Sequence, residues 1–124
     1  MTEAGCELCT PDMVVFEDEL VYVRYDNNSL SKGHMLVVPR RHVTDFFDMS
    51  TAEKSAILSL LDRAKAQVAR EFAPDGYNIG VNIGHAGGQT RMHVHVHLIP
   101  RYTGDVADPR GGIRCVLAKR FPGH

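Results

Sequence analysis

The sequence predicts an α+β domain, an antiparallel sheet of about five strands packed by one main helix. Three observations carry it. Short runs rich in Val, Tyr and Phe are separated by polar or glycine-bearing turns, one central stretch has apolar residues at helical spacing, and His93 to Ile99 alternates histidine with apolar residues.

Val14 to Phe16 and Leu20 to Arg24 read as a hairpin around Glu17-Asp18-Glu19, since β-branched and aromatic side chains suit a pleated surface. Asp26-Asn27-Asn28-Ser29 is a polar loop, and Gly33 to Val38 reads as a third strand that His34 opens and Pro39 stops. Ser50-Thr51-Ala52-Glu53 has the capping-box pattern, and Ala56, Ile57, Leu60, Leu61, Ala64, Val68 and Phe72 follow before Pro74 and Gly76. That stripe is read as core packing, not as a ligand surface. Tyr77 to Ile83 reads as a fourth strand, joined by the glycine-rich turn Gly84 to Gly88 to an antiparallel fifth. The turn could also present N–H groups to an anion. Beyond Pro100, Gly104, Pro109, Gly111 and Gly112 predict an irregular tail through His124.

In the fifth strand the two-residue period assigns Met92, Val94, Val96 and Leu98 to the buried face and His93, His95 and His97 to the other. Neighbouring imidazoles then stand roughly 6.6 Å apart and the outer pair roughly 13 Å apart, a spacing at which one ion does not easily hold all three. Neutral imidazole is the commonest general base and metal ligand, so three in register predict chemistry.

The chain of 124 residues fits a single domain over 1–124, and 14 Lys and Arg against 15 Asp and Glu leave a net charge of −1. That balance argues against long nucleic acid and leaves a small anionic ligand possible. Without a signal-like start or a long apolar run, the expectation is a soluble, cytoplasmic protein that engages no membrane. Three cysteines, two of them in Cys6-x-x-Cys9, suit thiols in a reducing compartment and either metal or redox chemistry. Cys115 reads as an incidental thiol.

The run from Gly88-Gln89-Thr90-Arg91 through His93-Val94-His95-Val96-His97 to Pro100-Arg101 resembles the signature of the histidine triad (HIT) superfamily of nucleotide hydrolases and transferases. Gly33-His34, Pro39-Arg40-Arg41-His42-Val43 and Asn82 extend the likeness, which touches both the fragile histidine triad and Hint branches. The resemblance implies a HIT-like fold that dimerises into a continuous sheet. It implies His95 as the nucleophile that attacks the α-phosphorus and becomes a nucleotidyl-histidine, with His97 and His34 as catalytic phosphate contacts. It also maps Asp26 to the ribose hydroxyls, Asn82 to the sugar-phosphate, and Gln89 and Thr90 to the phosphate or leaving-group side. Cys6, Cys9, His42 and His93 are the implied ligands of a structural zinc in an N-terminal segment spanning 1–12, with no organic cofactor and with 102–124 as the tail. The implied substrate is a nucleoside phosphate or dinucleoside polyphosphate such as diadenosine tri- or tetraphosphate. A nucleoside phosphoramidase, a non-catalytic nucleotide-binding module and a hydrolase with the three histidines on a metal are the alternatives. Lys32, His85 and Arg91 depart from the common family pattern, which bears on the leaving group.

Overall fold

The acidic turn expected after the first strand closes through Asp18, whose Oδ1 accepts from the N–H groups of Leu20 and Val21 at 2.8 Å. In the computed structural model, which describes residues 3–117, this turn joins β1 (Val14–Glu17) to β2 (Val21–Tyr25). β3 (Met35–Pro39), β4 (Gly76–Val81) and β5 (Val96–Arg101) complete one antiparallel sheet in the order β1-β2-β3-β5-β4.

The helix α1 spans Thr51–Phe72, and its capping box is fully formed. Glu53 N–H donates to Ser50 Oγ at 3.0 Å, and Ser50 N–H donates to Glu53 Oε1 at 2.8 Å. The same carboxylate takes a fork of bonds from Arg41, at 2.8 Å and 3.1 Å, which holds it below the usual carboxylate range and ties the helix start to the segment bearing His42. Ile57, Leu60, Leu61, Ala64 and Val68 pack against Val21, Val23, Met35, Val37, Val96 and Leu98, so the apolar stripe is core as predicted. On the opposite face, Leu8, Tyr22, Leu36 and Val38 form a smaller cluster beneath the N-terminal segment.

Several boundaries differ from the sequence reading. Pro39 is the last residue of β3 rather than its stop, because it sits opposite Val21 at the end of the ladder, where a missing N–H is tolerated. His34 precedes β3, and Asn82 and Ile83 follow β4 outside it. β5 begins only at Val96, because residues 92–94 leave the sheet: Val94 N–H donates to Val43 O at 2.8 Å and Thr44 Oγ1 donates to Met92 O at 3.0 Å. Met92, assigned to the buried face, is 47% exposed, whereas Val94, Val96 and Leu98 are buried. The tail is irregular through residue 117, apart from a short 3₁₀ turn at Gly112–Val116, and 118–124 lie outside the described residues. Among the described residues no helix is long and apolar enough to cross a membrane.

Gly33 precedes His34 with φ +88°, and a Cβ there would stand 2.9 Å from Phe72 Cδ2 and 3.1 Å from Val68 Cγ1. Gly33→Ala is expected to lower unfolding stability by about 1–3 kcal/mol through strain and overpacking. Urea denaturation checks this, and an unchanged midpoint contradicts it.

Candidate active site and metal centre

Hydrogen bonds to the backbone fix which nitrogen of each central histidine carries its proton. Leu30 N–H donates to His34 Nδ1 at 3.0 Å, so neutral His34 is protonated on Nε2. That Nε2–H donates to His97 Nδ1 at 2.9 Å, which leaves the proton of neutral His97 on Nε2. His95 Nδ1–H donates to the carbonyl of His93 at 3.0 Å, so the Nε2 of neutral His95 carries a free lone pair. His93 Nε2–H donates to Pro39 O at 2.7 Å, which turns its Nδ1 lone pair toward the thiols.

Burial, followed by the neighbouring His95 and His34, pushes the His97 pKa from its ordinary 6.5 to about 4. Burial likewise lowers the pKa values of His34 and His93, so the network is a set of neutral rings with defined donors and acceptors. The rings of His95 and His97 lie 5.0 Å apart, and Asp26 Oδ2 stands 3.5 Å from His34 Nε2. Asp26, His34 and His97 are close enough for a metal, but the proton on His34 Nε2 removes one of the three ligand atoms. The arrangement is a hydrogen-bonded relay.

The three histidines of the triad therefore do not share one face. His93 is fully buried and turns to a second centre with Cys6, Cys9 and His42. His93 Nδ1 lies 3.4 Å from both thiol sulfurs, and His42 Nδ1 lies 3.2 Å from Cys9 Sγ. Tetrahedral zinc at about 2.0–2.3 Å from its ligands requires edges of about 3.3–3.8 Å, so this Cys2His2 set fits the ion. His42 Nε2 meets Glu3 Oε2 at 3.1 Å, so both imidazoles present Nδ1 to the centre and rest Nε2 on an oxygen. Burial raises the Cys9 thiol pKa, a tendency that a bound cation reverses.

The remaining predicted residues separate. Gln89 is 3% exposed and spends its amide on backbone: Oε1 accepts from Gly84 N–H, and Nε2 donates to Thr44 O and Arg91 O. It thereby pins the turn Gly84 to Gly88 against the segment leading to His93. Asn82 and Thr90 are exposed at the two ends of that turn and bond no imidazole among the described residues. Arg91 reaches Glu7 at 3.5 Å, Lys32 O accepts from Tyr102 Oη, and His85 and Cys115 are exposed. Sequence reasoning passed over Glu3 and Leu30, which contribute through contacts with no local pattern.

The HIT domain family model matches residues 8–104. An uncharacterised HIT-like protein of Methanocaldococcus jannaschii is 42% identical over 95 residues, covering 77% of this chain and 73% of the relative. The AP-4-A phosphorylase of Mycobacterium tuberculosis is 34% identical over 94 residues, covering 75% of this chain, which spans 48% of that enzyme's length. A zinc-bound histidine triad family protein from Mycobacterium smegmatis superimposes with a TM-score of 0.73 at 31% identity, covering 84% of this chain and 80% of that one.

Because His97 binds its proton near pH 4 when folded and near 6.5 when unfolded, its contribution to stability is complete above 6.5. The contribution is lost progressively as pH falls through the lower value. The melting temperature is therefore expected to fall between about pH 7 and pH 4.5, and to fall less steeply in His97→Asn. Scanning fluorimetry across that range checks both slopes, and equal slopes refute the assignment to His97.

Proposed function

The chain belongs to the HIT domain family, and from that membership and the site's geometry we propose that it is a nucleotide hydrolase working through a nucleotidyl-histidine. The observation that carries the proposal is the lone pair left on His95 Nε2 beside the Nε2–H of His97. In this reading His95 Nε2 attacks the α-phosphorus, a P–N bond forms, and the P–O bond to the leaving phosphate breaks. The growing positive charge on the His95 ring is met by the His93 carbonyl through Nδ1–H. His97, held by His34, donates from Nε2 to the oxygen that accumulates charge. Water then forms the new P–O bond, the P–N bond breaks, and the lone pair returns to Nε2.

The substrate class is a dinucleoside polyphosphate, with diadenosine tri- and tetraphosphate the first compounds to test. The name of the mycobacterial phosphorylase supports that class. Asp26, beside His34, is proposed to take the ribose hydroxyls, with Asn82 and Thr90 on the phosphate side and Gln89 shaping the turn between them. We further propose that Cys6, Cys9, His42 and His93 hold a structural zinc joining the N-terminal segment to the residues just before His95. The free edge of β4 is the proposed dimer contact, and a cytoplasmic setting suits the reduced thiols.

Incubation with diadenosine tetraphosphate, diadenosine triphosphate and adenosine phosphoramidate, resolved by ion exchange, is expected to show adenosine monophosphate released from the first two. His95→Asn is expected to lower turnover by about 10³-fold or more while nucleoside monophosphate affinity changes little. Near-normal turnover in that variant removes the nucleophile assignment. Zinc measured by plasma mass spectrometry is expected at about one per chain, falling sharply in Cys6→Ser. Equal zinc content in the two proteins would exclude this ligand set.

A further inference from the structure

A second hollow opens beside the histidines on the same face of the sheet. Val96 and Leu98 pack toward α1, so alternation turns His97, Ile99 and Arg101 to the other side of β5. In register, His97 stands opposite Gly80 and Ile99 opposite Asn78, while Tyr77 and Val81 of β4 pack on the helix side. A Cβ at Gly80 would meet nothing within 4 Å, so the sheet is uncovered beside His97. One pleat further along the two strands, about 6.6 Å, lie Ile99 and Asn78.

These two residues line a cavity of about 350 Å³ with Leu30, Ser31, Arg101 and the tail residue Val106. Its wall is tied to the imidazoles as well as its floor, since Leu30 N–H is the donor to His34 Nδ1. The polar groups of the lining are matched to one another. Arg101 donates from Nε and Nη2 to Asp105 and from Nη1 to Asn78 Oδ1, at 2.7–2.8 Å, and Ser31 Oγ donates to Pro100 O. An anion therefore meets a guanidinium already neutralised by its own carboxylate. What the lining offers is apolar surface, with Leu30 75% and Val106 47% exposed, and a guanidinium held flat by its fork of bonds. A neutral aromatic ring suits both, because it covers the aliphatic side chains and stacks on the guanidinium plane.

The position of the cavity relative to Asp26 says which ring that is. Asp26, proposed to take the ribose of the attacked nucleoside, meets His34 from the β2 side, where its N–H also donates to His34 O. The cavity lies on the opposite side, over β5 and β4. A substrate with a nucleoside at each end of a phosphate chain places one on either side of the imidazoles, with the phosphates crossing the open sheet at Gly80.

We propose that this cavity holds the base of the leaving nucleoside, so that Ile99, Arg101 and Val106 set a preference for phosphate chains capped by a nucleoside at both ends. This rests on the nucleotide reading above and deepens it by giving the leaving group a site of its own. The test is calorimetric titration of the zinc-loaded protein with diadenosine tetraphosphate and with adenosine 5′-tetraphosphate, which lacks only the second nucleoside. Both are used with methylene groups in place of the α,β-bridging oxygens, so neither is cleaved. The wild-type protein is expected to bind the two-nucleoside compound about tenfold more tightly, although it carries the smaller negative charge. Val106→Asp, a change in the exposed tail, is expected to reduce that ratio to about twofold or less by putting a charge into the apolar lining. Ile99→Ser, on the floor, is expected to reduce it as far. Equal affinities in the wild-type protein overturn the leaving-nucleoside site alone. A tenfold preference that survives either variant overturns it as well. Binding of neither compound overturns the nucleotide reading and this inference together.

Discussion

His93 does three things at once, and both centres depend on them. Its Nε2–H rests on the Pro39 carbonyl at 2.7 Å, its Nδ1 faces the sulfurs of Cys6 and Cys9, and its own carbonyl accepts from His95 Nδ1–H. Because a neutral imidazole has one donor and one acceptor, anchoring one nitrogen decides the chemistry of the other. The Pro39 bond leaves the Nδ1 lone pair of His93 facing the thiols, and the His93 carbonyl leaves the lone pair of neutral His95 at Nε2. A single buried residue therefore links the cluster that closes the N-terminal segment to the ring proposed to carry the reaction.

Burial sets the protonation of this network. His34 and His93 are almost fully withdrawn from solvent, and His97 is held neutral by burial and by its histidine neighbours. Neutral rings can be chained as donor to acceptor, whereas charged ones would repel across the 2.9 Å contact of His34 and His97. The chain starts from a backbone amide, that of Leu30, whose position depends on the turn before Gly33. Residues with no chemistry of their own thus determine where protons sit.

The segments that carry the site are held from outside it by polar groups fully matched to backbone or to each other. Gln89 joins Gly84, Thr44 and Arg91, and Glu53 joins Ser50 to Arg41 beside His42. Each is buried and each is satisfied, which makes the loops between strands as well defined as the strands.

Much of this was legible from local pattern. The capping box and the spacing of Ile57, Leu60, Leu61, Ala64 and Val68 placed α1, and Asp18 marked the first hairpin, because each signal acts within a few residues. The alternation of histidines marked the site but placed His93 and Met92 wrongly, since it assumed that the ladder continued where residues 92–94 turn to pair with Val43 and Thr44. By itself the sequence determined the helix, most of the strands and which residue types carry the chemistry, because periodicity and caps are short-range properties. The tertiary structure alone decided which ring faces which centre and which nitrogen keeps its proton, because the carbonyls and thiols that settle these lie up to 87 positions away in the chain.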